Sequence, residues 1–319
     1  CNEYKSTDNQ HIIKNITGAI FLKQKKIELA KSNFFEAISI NERFIDPYNN
    51  LYYLFNLIKD KKNLIIISKK IYEFDKKNSI SNFKLGYAYE INGEYTQSIK
   101  FYNEALKYGF KDKKVIYNNL GNVYLQLDKI EKSIQFFSLA LECDKNNKTI
   151  INNLIKAELK NKDLIKIEAL LNQAREIDEN SYEFLINQAD FLLLKKNFNE
   201  AIKLLNKIIS RVKNPNPNSL IMLCKIYFTL GELENAKKIL HQLTNQFPNN
   251  INVMRFKGMR DLYDGNFDTG WRNYEFRISS MNNLYPEIPK WNGEELNEKK
   301  IIVYNEQGIG DCIQFSKYL

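Results

Sequence analysis

Two sets of residues have types and spacing suited to chemistry. The first is a series with one member in every 34 or 35 residues: Ile16, Asn50, Lys84, Asn119, Asn153, Asn187, Met222 and Phe256. Four of the eight members are asparagine, whereas a chain in which about one residue in eight is asparagine would place one there by composition. An asparagine amide donates and accepts at once, as a peptide group does. The second set is the loop Asn305-Glu306-Gln307-Gly308-Ile309-Gly310-Asp311, in which Gly308 and Gly310 fit a phosphate or substrate loop. A dinucleotide fingerprint needs a third glycine where Ile313 stands, which disfavours NAD or FAD. Asp311 is placed to cap a following helix by accepting backbone N–H bonds. Metal chemistry is excluded: Cys1, Cys143, Cys224 and Cys312 show no paired spacing, and His11 and His241 complete no ligand set with them.

The elements that must position the asparagines are helical hairpins. From Leu223 to Pro248 the chain reads as two helices: Leu223, Cys224 and Tyr227 share a face, Gly231 permits a turn, and Ala236, Leu240 and Leu243 return before Pro248. Stepping the last packing position gives Ala37, Ile71, Ala105, Ala140, Ala174, Ile208, Leu243 and Arg277, again 34 or 35 residues apart. The small position of the first helix gives Gly18, Tyr52, Gly86, Gly121, Ile155, Ala189, Cys224 and Gly258. Tyr52 and Ile155, with Leu64 and Ile167 on the second helices, are too large for the pattern, so the second and fifth copies are expected to be the least regular. Neither face of one hairpin can be buried alone, and stacking completes the core. The Asn214-Pro215-Asn216-Pro217 run reads as a slightly longer loop between the sixth and seventh copies.

This pattern of small, large and proline positions resembles the tetratricopeptide repeat. The resemblance implies an all-α solenoid, a right-handed superhelix of about eight hairpins over residues 4–280. In arrays of the O-GlcNAc transferase type, asparagines at the series position clamp an extended peptide on the inner surface. That implies a peptide-binding role for Asn50, Asn119, Asn153 and Asn187, with a protein or peptide ligand on the concave face.

The eighth copy departs from the others. Gly265-Asn266-Phe267 and Gly270-Trp271-Arg272-Asn273-Tyr274-Glu275-Phe276-Arg277 load the register with aromatics and arginines, Trp271 and Tyr274 reading as packing residues on one face. Pro286 and Pro289 make residues 281–299 a linker. Ile301-Ile302-Val303-Tyr304 is the best strand in the chain, and Cys312 to Leu319 has helical spacing. Residues 300–319 therefore read as the β-α start of a truncated Rossmann-like domain. Residues 258 to 319 resemble the junction in bacterial tetratricopeptide proteins fused to a GT-B glycosyltransferase-like domain, similar to the heptosyltransferases. The resemblance implies that Asp311 is the general base in a complete parent protein, that the parent uses a nucleotide-sugar donor, and that this chain, without the second Rossmann domain, holds no cofactor and is not itself catalytic.

Composition narrows the alternatives. With 44% apolar residues the chain is expected to fold, and no apolar run is long enough to span a membrane. The net charge of +9 comes from lysines scattered among acidic residues, which disfavours nucleic acid. Unpaired cysteines, with Cys224 and Cys143 read as core thiols, fit a cytoplasmic protein. The expected function is a peptide-binding scaffold, the recognition region of a glycosyltransferase-like parent and a fragment open at both ends. The alternatives are a non-catalytic assembly scaffold and a lipoprotein anchored through Cys1.

Overall fold

The computed structural model describes residues 9–211, 215–276, 294–295 and 300. Among the described residues there are sixteen α-helices and no strand. The chain divides into two compact units, Cys1–Gly231 and Glu232–Leu319. The first holds α1 (Gln10–Lys23), α2 (Ile27–Ile40), α3 (Ile45–Leu57), α4 (Lys61–Phe74), α5 (Ser79–Ile91), α6 (Tyr95–Lys107), α7 (Lys113–Gln126), α8 (Ile130–Cys143), α9 (Lys148–Asn161), α10 (Leu164–Asp178), α11 (Tyr182–Leu194), α12 (Phe198–Ser210) and α13 (Pro217–Thr229). The second holds α14 (Leu233–Gln246), α15 (Ile251–Tyr263) and α16 (Phe267–Tyr274). The proposed strand at 301–304, the loop with Gly308, Gly310 and Asp311, and the linker apart from residues 294–295 lie outside the described residues.

In the first unit each odd-numbered helix up to α11 packs on the even one that follows, and each even helix packs on the next odd one. Odd helices of successive hairpins also touch, α1 on α3, α5 on α7, α7 on α9 and α9 on α11. The helices start where side chains can take up free N–H groups: Asp60, Asn78, Asn147, Asp163, Ser181, Asn197 and Asn216 all cap the helices they precede. Pro217 then stands in the first turn of α13, where its missing N–H matters least. In the second unit α14 packs on α15 and α15 on α16.

The turn after each odd-numbered helix contains one left-handed residue. Lys25, Lys59, Gly93, Asp128, Lys162, Lys196, Gly231 and Gly265 have φ between 55° and 83°. Only three of the eight are glycine, so five side chains are held in a conformation that costs about 1 kcal/mol relative to glycine. The hydrogen bonds that close the turn hold them there, as with Asp60 N–H donating to the Phe55 carbonyl at 2.9 Å across Lys59.

The small position is small because an aromatic ring from the second helix occupies its space. A Cβ on Gly18 would lie 2.7 Å from Phe34, on Gly86 2.9 Å from Tyr102, and on Gly121 2.5 Å from Phe137. In each case the ring comes sixteen residues later. In the second copy the sizes are exchanged: Tyr52 stands at the small position and Ser68 sixteen residues on, and both are buried. The contact of α3 with α4, and that of α9 with α10, is smaller than that of α1 with α2, but α11 with α12 is no larger although its small positions hold alanines, so the large residues do not single out the second and fifth copies.

Two expectations need correction. Cys224 is buried but Cys143, at the last residue of α8, is exposed and belongs to no core. Trp271 shares a face with Tyr274, their rings edge to face at 6.1 Å, yet it is 55% exposed. With only one further turn of α16 beyond it, there is too little helix over Trp271 to bury it.

Candidate functional site

The asparagine series is a set of rungs between copies. Asn50 Nδ2 donates to Asn15 Oδ1 at 2.8 Å, Asn153 Nδ2 to Asn118 Oδ1 at 3.0 Å, and Asn187 Nδ2 to Asn152 Oδ1 at 2.8 Å. Lys84 follows the same rule, its Nζ donating to Asn49 Oδ1 at 2.5 Å. Each bond spans 35 residues, from one member of the series to the residue preceding the previous member. Asn119 breaks the rule because Phe83 stands where its acceptor would be; its Nδ2 donates instead to the Tyr102 hydroxyl at 3.1 Å. Asn187 is fully buried, and its Oδ1 has no partner among the described residues. Asn50, Asn119 and Asn153 are half-buried, so part of each amide is open to solvent. The sequence signal for the rungs was visible: Asn49-Asn50, Asn118-Asn119 and Asn152-Asn153 are dipeptides, supplying a donor to one copy and an acceptor to the next.

Of the series positions, Lys84 and Asn119 are brought together in one place, a cleft of about 740 Å³ between α3, α5 and the start of α7. One wall is Tyr52 and Tyr53 on α3; the other is Phe83 on α5, stacked on Phe110 at 4.7 Å with the rings 26° apart. Ile80 and Val115 complete an apolar lining. Tyr52, at a position that is glycine in four of the eight copies, gives the cleft an aromatic wall that the glycine copies do not have.

Lys84 is 7% exposed. Its ammonium lies 5.0 Å from the ring centre of Tyr52 and 5.1 Å from that of Tyr53, a cation held against two aromatic faces. Burial pulls it from the ordinary lysine value of 10.5 to about 8. Among the described residues no carboxylate is paired with it, although cation–carboxylate contacts are common among them.

Beneath the cleft a short chain of hydrogen bonds runs from Asn119 through Tyr102. The Tyr102 hydroxyl accepts from Asn119 and donates to Glu90 Oε2. Burial pushes Glu90 up to about 7 and raises the Tyr102 hydroxyl well above its usual value. Sequence reasoning missed Glu90, the two tyrosines on α3 and the Phe83–Phe110 stack. The visible signals were Lys84 interrupting the asparagines and Tyr52 breaking the small-residue pattern.

Helical hairpins stacked in order, with close-packed small positions and a partner-sized cleft on the odd helices, define an α-solenoid. Models of the tetratricopeptide repeat match residues 80–108, 115–147 and 221–250, and the chain carries tetratricopeptide repeats. It is 28% identical over 297 residues to the TPR repeat-containing protein MJ1428 of Methanocaldococcus jannaschii, covering 84% of this chain and 49% of that protein. It is 24% identical to Protein FlbA of Caulobacter vibrioides, covering 79% of this chain and 43% of that one. The chain thus spans under half the length of these curated relatives. Among solved structures, a tetratricopeptide repeat protein from Parabacteroides merdae superposes with a TM-score of 0.64 at 16% identity, covering 75% of this chain and 94% of that one. Among the described residues no helix is long and apolar enough to cross a membrane.

Proposed function

We propose that the chain is a recognition scaffold that binds an extended segment of a partner protein in the cleft between α3, α5 and α7. The observation that carries this reading is the cleft itself, a volume of about 740 Å³ walled by aromatics, with Lys84 and Asn119 among its polar contacts and Lys111 and Asp112 at its mouth. Asn119 uses one N–H on Tyr102, which leaves its second N–H and its carbonyl oxygen for a peptide group. Asn50 and Asn153 extend the contact along the odd helices, while Asn187 is committed to the rung it forms with Asn152.

The test is capture of phage-displayed random dodecapeptides by the full chain and by a Tyr53→Ala, Ile80→Ala double variant. Both side chains are more than half exposed, so their removal leaves the fold intact. Selected peptides are expected to bind the variant at least tenfold more weakly, with an unchanged thermal melt. Equal binding to both proteins would show that the cleft is not the site.

The resemblance of residues 258–319 supports a larger setting: an array that presents acceptors to a glycosyltransferase-like domain, with Asp311 as its base and Gly308 and Gly310 in its substrate loop. A reading frame that continues past Leu319 into a second Rossmann pattern is the expected observation, and an early stop would remove this setting. Cytoplasmic placement is part of the same proposal and rests on the unpaired cysteines.

A further inference from the structure

Resting on the peptide-binding reading, we infer that the partner segment carries an internal acidic side chain that seats its carboxylate on Lys84, next to a bulky apolar residue that lies against the Phe83–Phe110 stack. The argument begins from what the cleft lacks. Lys84 as a residue is only 7% exposed, so its ammonium keeps little of its hydration, and among the described residues it makes one hydrogen bond, to Asn49. The two tyrosine faces offset part of the lost hydration, but an aromatic face accepts no conventional hydrogen bond, and at least one N–H of Lys84 still needs a partner.

The lining decides which anion fits. Tyr52, Tyr53, Phe83 and Phe110 make an apolar enclosure in which a carboxylate–ammonium contact is screened far less than on the surface. A phosphate, carrying nearly two charges, would need several donors, and the cleft offers only one buried cation; Lys111 at its mouth is exposed and has Asp112 beside it. A carboxylate matches that single charge. The stacked rings of Phe83 and Phe110 leave their flank with Ile80 and Val115 as the apolar surface for the neighbouring side chain. The +9 charge of the whole chain favours approach of an acidic segment.

The experiment uses the full chain and a panel of N-acetylated, C-amidated nonapeptides, so that neither terminus can supply the charge. The central residue is glutamate, glutamine, lysine or phosphoserine, and its neighbours are drawn from phenylalanine, leucine and glycine. Binding is read by fluorescence polarisation. The glutamate peptides with an adjacent phenylalanine or leucine are expected to bind about tenfold tighter than their glutamine counterparts, the scale of one charge-assisted contact. Lys84→Met should erase that preference, bringing the glutamate and glutamine peptides to equal affinity, and Lys84→Arg should keep most of it. Three outcomes overturn the inference alone: glutamate and glutamine peptides binding equally, the preference surviving in Lys84→Met, or phosphoserine binding more tightly than glutamate. Failure of every peptide in the panel to bind would overturn this inference and count against the reading beneath it.

Discussion

Within the first unit, the contact of α9 with α11 and the contact of α3 with α5 use the same register position in opposite ways. Between α9 and α11, Asn187 is fully buried and donates to Asn152, itself 4% exposed, so the rung is closed on all sides. Between α3 and α5, Lys84 reaches Asn49 by the same 35-residue step but stands beside an open cleft. The difference comes from the residues around the rung. α9 and α11 lie close against one another around their rung, whereas α3 and α5 touch far less, and Tyr52 and Tyr53 stand beside Lys84 at the cleft. A register position therefore has no fixed job. It fastens copies together where successive odd helices lie close, and it presents a group to solvent or a ligand where they do not.

The closed rung is where the contrast can be broken most forcefully. Asn187→Asp keeps the shape but sets a carboxylate against the Asn152 carbonyl oxygens, in a place without water. The expected loss in urea unfolding is about 4 kcal/mol at pH 7. The new carboxyl would be held above its unfolded value, so folding would bind a proton and the loss should shrink as pH falls. The same change at Asn50, whose rung is half open to solvent, should lose under about 1 kcal/mol. Equal losses at the two positions would mean that the rungs do not differ as their burial indicates.

Much of this was legible in the sequence, and the parts that were not have identifiable reasons. The succession of helices followed from a period held at 34 or 35 residues, and Gly18, Gly86 and Gly121 marked close approaches because an aromatic ring fills the missing side chain. The left-handed turns at Lys25, Lys59, Asp128, Lys162 and Lys196 were invisible, since tertiary closure imposes a conformation that those residues do not prefer. The asparagine series was found, but its first partner is the neighbouring copy, and that depends on which residue precedes each member. The cleft gathers Tyr52, Lys84, Phe110 and Asn119 from three helices and a loop, and no local pattern connects them.

Lys84→Met sharpens the contrast from the other side, because it should stabilise the fold. A lysine shifted from 10.5 to about 8 binds fewer protons folded than unfolded over that window. The unfolding free energy of the wild type should therefore rise as pH increases from about 8 to 10.5, and below pH 8 the full penalty is present. Removing the charge should add about 2–3 kcal/mol at pH 7 and flatten the alkaline rise, read as urea midpoints across pH 7 to 10.5. A variant less stable than wild type at pH 7 would mean that the ammonium contributes to the fold and is not held there at its expense.

Glu90→Gln probes the layer under the cleft, and its effect should be smaller and of opposite pH sense. With its value raised from 4.5 to about 7 by burial, Glu90 binds more protons folded than unfolded between those limits, so stability from this group falls as pH rises through them. Asp190, raised from 3.8 to about 6 by burial, acts in the same direction over a lower window. Glutamine can still accept from the Tyr102 hydroxyl, but the bond loses its charge assistance, which offsets part of the gain. The expected net stabilisation is about 1–2 kcal/mol at pH 8 and close to none at pH 4.5, measured as urea midpoints at the two pH values. Taken with Lys84, the carboxylates give the first unit its lowest stability between about pH 7 and 8, with a rise on either side. Two such groups of opposite charge, Lys84 and Glu90, thus lie on α5, on either side of the close approach at Gly86, and a third, Asp190, lies on α11. A Glu90→Gln protein whose midpoint did not move at pH 8 would place that carboxylate in contact with water and remove the acid limb of the minimum.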